Sequence, residues 1–338
     1  MRDKSKQNDP HEKTTYLPNQ PVPSVPSVPK TLSWGVVSTI KAPIEHIARF
    51  AAWHLELGAA HLHIHLDVPD VGIAKRLAHP QITFTQCDGE YWTTAPEKAH
   101  KTHQLRQAYN ASRSYRASAM DWLVHIDVDE FLLCKTPLSE RLASAQHNAA
   151  FVRIHPAEMM ASDTDPFNDT AYFKRTRKHA KQRKSVLETL YPTFGAHVPE
   201  GFISYSGGKN ITRTGIPNTR IGIHATMHNG VQLSNGQLMR DITIGHAHAP
   251  TWGAFKRHFD YRMSKGSYRK KSSGSGQLND VLTLIIEDED KKGLRQFFDE
   301  MCFATPERLD LLRDHDMLLT WQLDLDDKVI RHFGKLES

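Results

Sequence analysis

The stretch Asp121-Trp122-Leu123-Val124-His125-Ile126-Asp127-Val128-Asp129-Glu130-Phe131-Leu132-Leu133 decides how the rest of the chain is read. Its flanks are apolar and β-prone, and three carboxylates stand within four residues between them. Side chains alternate along a strand, so Asp127 and Asp129 project to the same side, close enough to share one cation. Like charges that close repel and raise one pKa unless a cation or a strong donor compensates. Carboxylate oxygens suit Mg2+ or Mn2+, and Mg2+ commonly takes one or two carboxylates plus substrate phosphates. One reading is thus a metal holding a phosphorylated substrate at a strand's end. The other is a solvated acidic turn that closes a strand.

Upstream, Leu32 to Ile40 reads as a buried strand. Pro43 opens a helix through Glu56 with Ile44, Ile47, Ala48, Ala51 and Leu55 at helical spacing, and Gly58 stops it. His61 to Leu66 is a second strand, ending in Asp67 and Asp70. Strand, helix and strand in succession make a βαβ unit, hence parallel strands and a right-handed crossover. A short helix (Val71 to Ala78), a strand (Ile82 to Gln86) and a long helix (Pro96 to Ala119, with Leu105, Ala108, Tyr109 and Ser112 inward) lead to the strand Trp122 to Ile126. Ligands of open parallel sheets bind outside the carboxyl ends of the strands, where Asp67 and the triplet stand.

Downstream the pattern loosens. Phe151 to His155, Asn210 to Thr212, Ile221 to Ala225 and Ile242 to His248 read as strands, with antiparallel additions after residue 150. Thr251 to Met263 reads as a helix, and the tail from Asp280 as helical and mixed in charge. Residues 1–30 are polar and then proline-rich, composing a tail that cannot bury enough apolar surface to order itself. The expected organisation is this tail, an α/β domain over 31–271 and a C-terminal helical extension over 272–338.

The chain has 338 residues, 39% hydrophobic and 24% charged, which is ordinary for a soluble globular protein. A net charge of +5 favours anionic partners. Cys87, Cys134 and Cys302 are far apart and lack CxxC spacing, which excludes a disulfide framework and a cysteine-built zinc site. No His-Glu-x-x-His motif is present, and His61, His63 and His65 on one strand face read as structural rather than as a metal comb. No apolar run approaches the roughly 20 residues of a membrane helix. The N-terminus lacks a secretory h-region, so the expected location is the cytoplasm, the inner face of the membrane included.

Together these features resemble the family 2-type glycosyltransferases of GT-A fold, in particular the bacterial "glycosyltransferase family 2-like" group. Its signature is a tryptophan-led strand closing in Asp-x-Asp-Glu-Phe, here Trp122 to Phe131. The likeness extends to Trp53-His54, Gly58 and Asp67, to Tyr109-Asn110, to Gly208-Lys209 through Arg213 followed by Ile223-His224, and to His246, Phe255 and Lys265-Gly266. It covers roughly Thr31 to Lys271. The chain departs from the group at Arg49-Phe50 and at Ala247.

The resemblance implies a GT-A, Rossmann-like α/β fold: a mostly parallel sheet flanked by helices, with antiparallel C-terminal additions. It implies a transferase moving a sugar, with inversion, from a nucleoside-diphosphate sugar (UDP-linked) to a glycan or lipid-linked acceptor. Mn2+ or Mg2+ would neutralise the leaving diphosphate. Asp129 would contact the metal, Asp127 the ribose or a metal-bound water, and His246 would complete the shell. Asp67 would accept from the nucleobase or, standing before Pro69, only form a turn, while Lys209, Arg213 and Lys265 would face the donor. Glu130 either orients the turn or joins the site. Of Glu158, Asp163 and Asp165, read as a loop after the strand that follows the acidic motif, Asp163 or Asp165 would be the base that deprotonates the acceptor. The basic run Lys174 to Lys184 is a solvated face, a contact for an anionic acceptor or diphosphate, or a membrane-surface contact. The loop Lys265 to Lys271 has the composition of a lid. Two rivals stand beside this: a basic nucleic-acid- or anion-binding protein with a structural acidic turn, and an inactive transferase-like protein. No aromatic-interleaved basic strand supports nucleic-acid binding.

Overall fold

β1 (Trp34–Ile40) is buried along its whole length, as a strand covered on both faces must be. The structure is a computed structural model that describes residues 32–176, 183–269, 277–288 and 290–336. Pro43 stands at the N-cap of α1 (Ile44–Glu56), whose Ile47, Ala48, Ala51 and Leu55 are buried. Gly58, at φ 91°, takes the left-handed turn that ends the helix. β2 (His61–Leu66) then pairs in parallel with β1, α2 (Val71–Arg76) follows, and β3 (Ile82–Gln86) pairs in parallel with β2. α3 (Gly89–Thr93) and α4 (His103–Ala117) lead to β4 (Trp122–His125), parallel to β1 on its other side. The βαβ expectation holds strand for strand.

α4 differs from its expected form in length and in facing. It starts at His103 after a 3-10 turn over Glu97–His100, and Leu105, expected inside, is 43% exposed. Its buried face is Gln107, Asn110, Ala111, Ser112, Ser114 and Tyr115. The reason lies in the sheet beneath it, where polar side chains wait for partners. Asn110 donates to Thr39 Oγ1 (3.0 Å), and Ser114 bonds His65 Nε2 (2.9 Å). Tyr115 donates to the Arg213 carbonyl (2.9 Å). Hydrogen-bond demand, rather than apolar spacing, sets the helix's rotation.

The chain continues through β5 (Glu130–Leu133), α5 (Leu138–Ala143), β6 (Phe151–Met159), β7 (Thr170–Arg175), α6 (Arg183–Leu190) and β8 (Lys209–Arg213). Next come β9 (Thr219–Ile221), β10 (Thr226–His228), β11 (Val231–Gln232), β12 (Gly236–His246) and α7 (Trp252–Ser264). The end of the chain supplies α8 (Gln277–Asp288), α9 (Asp290–Cys302), α10 (Pro306–Asp314), β13 (Leu318–Gln322) and α11 (Leu325–Phe333).

Among the described residues these strands form a ten-stranded mixed sheet and a three-stranded antiparallel one, β11-β10-β9. The large sheet runs β13-β7-β6-β8-β4-β1-β2-β3, with β12 pairing β6 and β5. Its β4-β1-β2-β3 part is parallel, while β8 is antiparallel to both β4 and β6. β12 follows one edge of β6 to Glu158, so β8 and β7 must share the other edge, β8 at Phe151–Ile154 and β7 at Ala157–Met159. The sheet forks there.

Two expectations need correction. Ile221 to Ala225 is not one strand: β9 ends at Ile221, and β10 starts at Thr226 across a turn. The C-terminal segment is not a helical extension alone, because β13 pairs β7 and Val329 of α11 joins the core beneath the parallel strands. The proposed boundary at 271, the tail 1–30, positions 177–182 of the basic run and 270–271 of the lid loop lie outside the described residues. Among the described residues, no helix is long and apolar enough to cross a membrane.

The Trp53-His54 pair has a local task. The backbone of Leu132 on β5 turns away from β12, leaving an N–H and a carbonyl to satisfy. Trp53 Nε1 donates to the Leu132 carbonyl (2.9 Å), and the Leu132 N–H donates to His54 Nε2 (3.3 Å). The two side chains of α1 thus replace a neighbouring strand at this edge, and β5 is held directly after the acidic turn.

Candidate functional site

Asp127 and Asp129 leave the carboxyl end of β4, and Glu130 begins β5, so a tight turn brings the three acids together. Glu130 is fully buried, and its Oε2 accepts from the Asp127 backbone N–H (2.8 Å), closing the turn. The same oxygen receives Lys209 Nζ at 2.5 Å, and Oε1 accepts from the Tyr205 hydroxyl at 2.5 Å. Glu130 therefore does orient the turn, and it also anchors a buried cation.

Lys209 opens β8 with 1% of its side chain exposed, and its ammonium lies 2.7 Å from Asp127 Oδ2. Gln107 of α4 donates to the other Asp127 oxygen. Gly208 makes this entry possible: its φ is +76°, and a Cβ there would come 2.2 Å from the Ile154 carbonyl oxygen. Burial resists ionisation of Asp127, but Lys209 beside it outweighs that and holds the carboxyl well below the usual range. Burial likewise works against the Lys209 charge, and Asp127 and Glu130 overcome it, raising its pKa. Desolvation is the larger influence at Glu130 and pushes its carboxyl upward. The Tyr205 hydroxyl, buried against Glu130, is raised far enough to remain a donor.

Asp129 stands apart from this arrangement. Its side chain is 39% exposed, and Oδ2 faces His246 Nε2 at 3.6 Å. His246 ends β12, which places it opposite Glu130 on β5 and Glu158 on β6. Burial opposes charge on both partners, and each overcomes it for the other: Asp129 is lowered and His246 raised. A separation of 3.6 Å exceeds a good hydrogen bond. Neighbouring ligands of an octahedral cation with bonds of about 2.1 Å stand about 3 Å apart, so the two side chains would close by about half an ångström to share one. An oxygen and an imidazole nitrogen suit Mn2+, so this pair fits the expected metal as a partial shell. Among the described residues, no three His, Cys, Asp or Glu side chains converge as a complete metal site. Lys209 explains why, since it occupies the inner faces of Asp127 and Glu130.

Asp67 follows β2, two strands from Asp127 across β1, about 10 Å away at ordinary strand spacing. Its carboxylate is 5% exposed and held at both oxygens by Arg106 of α4 (2.6 and 2.7 Å), with His103 Nδ1 at 3.6 Å. Burial favours the neutral acid, but the hydrogen bonds from His103 and Arg106 and the Arg106 charge hold the carboxyl well below its ordinary value. The group facing the crevice from this strand end is thus the Asp67–Arg106 pair, not a free carboxylate.

Other expected site residues lie elsewhere. Arg213 ends β8 four residues after Lys209, about 13 Å along the strand. Its guanidinium covers the Trp122 ring (4.4 Å) and donates to the Ala149 carbonyl (3.1 Å), at the amino end of β4. Its role is to close that end of the sheet. Asp165 accepts from the Phe167 N–H (3.0 Å) and from Asn168 Nδ2 (2.7 Å) in an exposed turn. Phe167 packs on Phe131, the residue whose side chain leaves β5 on the face opposite Glu130. Asp163, in the same loop, is exposed as Asp165 is. Lys265 is exposed at the end of α7. Lys174, the first of the basic run, is neither solvated nor a ligand contact: it is buried against Glu158 at 3.2 Å.

Tyr205 and Gln107 escaped the sequence reading. Tyr205 lies between recognisable strands, and Gln107 sits on a helix face that apolar spacing does not mark. A cavity of about 740 Å³ lined by Tyr115, Arg116, Pro217 and Arg220, among others, opens at the Arg213 end of the sheet and has no carboxylate in its lining. The acidic turn lies at the opposite end of the strands, where β4 closes in Asp127 and Asp129. No protein-family model matches the chain, and no curated protein proved similar to it.

Proposed function

We propose that the protein is a metal-dependent glycosyltransferase of GT-A type that takes a nucleoside-diphosphate sugar, UDP-linked, and passes the sugar to a glycan or lipid-linked acceptor. The observation that carries this reading is the open Asp129–His246 pair at the carboxyl end of a parallel strand, with 3.6 Å between the facing oxygen and nitrogen. A divalent cation bound there would offset charge on a departing diphosphate. Asp129 and His246 would hold that cation, and the Asp127–Lys209–Glu130 unit would keep the turn rigid behind it. Arg106, fixed by Asp67 with 25% of its side chain exposed, would face the nucleotide from the neighbouring strand end. The position of the sheet's parallel half supports this, because ligands of such sheets collect at its carboxyl edge.

The test is binding and slow hydrolysis of a panel of nucleotide sugars with and without Mn2+, for wild type and Asp129→Ala. The expected result is metal-dependent binding by wild type that Asp129→Ala loses. Absence of metal-dependent binding, or equal binding by the variant, would overturn the proposal.

A further inference from the structure

The acidic turn contains two kinds of carboxylate. Lys209 Nζ lies 2.7 Å from Asp127 Oδ2 and 2.5 Å from Glu130 Oε2, so an ammonium already stands where those two acids would share a cation. The remaining Asp127 oxygen is taken by Gln107, and the remaining Glu130 oxygen by Tyr205 at 2.5 Å. Every carboxylate oxygen of the pair has a protein donor. Asp129, two residues from Asp127, faces His246 instead and keeps 39% of its side chain open.

Resting on the transferase reading above, we infer that Lys209 is a positioning residue that withdraws Asp127 and Glu130 from metal coordination, leaving Asp129 and His246 as the protein's two ligands for the divalent cation. A Mg2+- or Mn2+-like ion wants about six ligands. Two from the protein leave most of the shell to water and to diphosphate oxygens. Cation and nucleoside diphosphate then bind as one unit, each weak without the other. A turn in which all three acids faced the ion would hold it in the absence of nucleotide. Lys209 prevents that, and so makes retention of the cation conditional on the donor.

The experiment follows Mn2+ binding to the full chain through the electron paramagnetic resonance signal of the free aqueous ion, with and without UDP as the probe. UDP should tighten Mn2+ binding by wild type, and Asp127→Asn should weaken Mn2+–UDP binding far less than Asp129→Asn does. Asp129→Asn and His246→Ala should each weaken it about tenfold or more. Lys209→Met, which releases Asp127 and Glu130, should bind Mn2+ without UDP about tenfold more tightly than wild type. Mn2+ should also raise the melting temperature of that variant more than that of wild type. If Lys209→Met does not fold, the contrast between Asp127→Asn and Asp129→Asn decides alone. Equal damage from those two substitutions overturns the inference while Mn2+–UDP binding by wild type persists. If wild type binds no Mn2+–UDP at all, the proposed function falls and this inference with it.

Discussion

Lys174 and Lys209 each lie on a strand of the same sheet with 1% of the side chain exposed, and each meets a buried glutamate. Their surroundings then diverge. Lys174 lies 3.2 Å from Glu158 Oε2, donates to the Met301 carbonyl (2.5 Å) and sits 5.2 Å from the centre of the Tyr191 ring. Glu158 is 2% exposed and accepts from the backbone N–H groups of Ile203 (3.2 Å) and Ser204 (2.8 Å). That set is closed on all sides. Lys209 also holds a buried glutamate, but its second partner, Asp127, is 32% exposed and adjoins the open Asp129. A buried charge alone does not mark a site, since a satisfied pair such as Lys174–Glu158 is structural. The mark is a buried charge that fixes a neighbour still facing solvent.

The two lysines are also connected. Glu158 holds the backbone at Ser204, and the next residue, Tyr205, reaches Glu130. The closed pair therefore serves as the footing of the open one. The sharpest way to break the comparison is Lys174→Met, which leaves Glu158 buried without its cation. Stability should fall by about 3–5 kcal/mol, read from urea unfolding. Mn2+–UDP affinity of the protein that remains folded should change far less. A large loss of affinity with intact stability would place Lys174 in the site and erase the distinction.

Asp129→Asn makes the opposite demand. This side chain is 39% exposed and faces His246 at 3.6 Å, so unfolding in urea should shift far less than for Lys174→Met. Transfer or donor hydrolysis should drop by about 10²–10³-fold, the scale for removing one electrostatic contact to a developing charge. Loss of stability without loss of turnover would reduce Asp129 to the solvated acidic turn of the simpler reading. Tyr205→Phe tests the link between the two lysines. It removes the 2.5 Å hydrogen bond and leaves Glu130 Oε1 without that donor. The expected cost is about 1–3 kcal/mol in urea unfolding. A neutral result would mean that Glu130 does not depend on the 203–205 loop.

The parallel strands were legible because their apolar runs, proline and glycine stops are local signals. β2 and β3 fall where the pattern put them, and the acids stand at the strand end it indicated. Lys209 and His246 were reached through resemblance, since nothing in a strand's own spacing says that a lysine will be buried. Arg213 shows the cost of that route. The resemblance places Lys209 and Arg213 in one site, but they begin and end the same strand and so lie towards opposite ends of the sheet. Leu105 failed for a different reason: the helix obeyed the hydrogen-bonding needs of Thr39, His65 and Asp127, which are contacts over long separations in sequence. The Asp163–Asp165 loop could not be positioned from sequence because its placement follows from Phe167 packing on Phe131.

The effect confined to acid pH concerns His54, which holds β5 and through it the acidic turn. The ring is fully buried, and Nδ1–H donates to the Phe50 carbonyl (2.8 Å) while Nε2 accepts from Leu132 N–H (3.3 Å). A proton on Nε2 would abolish that second bond. Burial lowers the imidazole pKa from 6.5 to about 4, more than the Phe50 carbonyl raises it. Below pH 6.5 the unfolded chain takes up a proton that the folded protein refuses. The His54 contribution to stability is thus complete above that pH and is lost as pH falls towards 4. The slope approaches about 1.4 kcal/mol per pH unit. His63, His65, His125 and His224 are lowered in the same direction, so the comparison must be between wild type and His54→Gln, in which their contributions cancel. The wild-type stability should decline more steeply than that of the variant between pH 6.5 and 4. Parallel curves would show that His54 takes up its proton in the folded protein, and the Leu132 N–H would then need another acceptor.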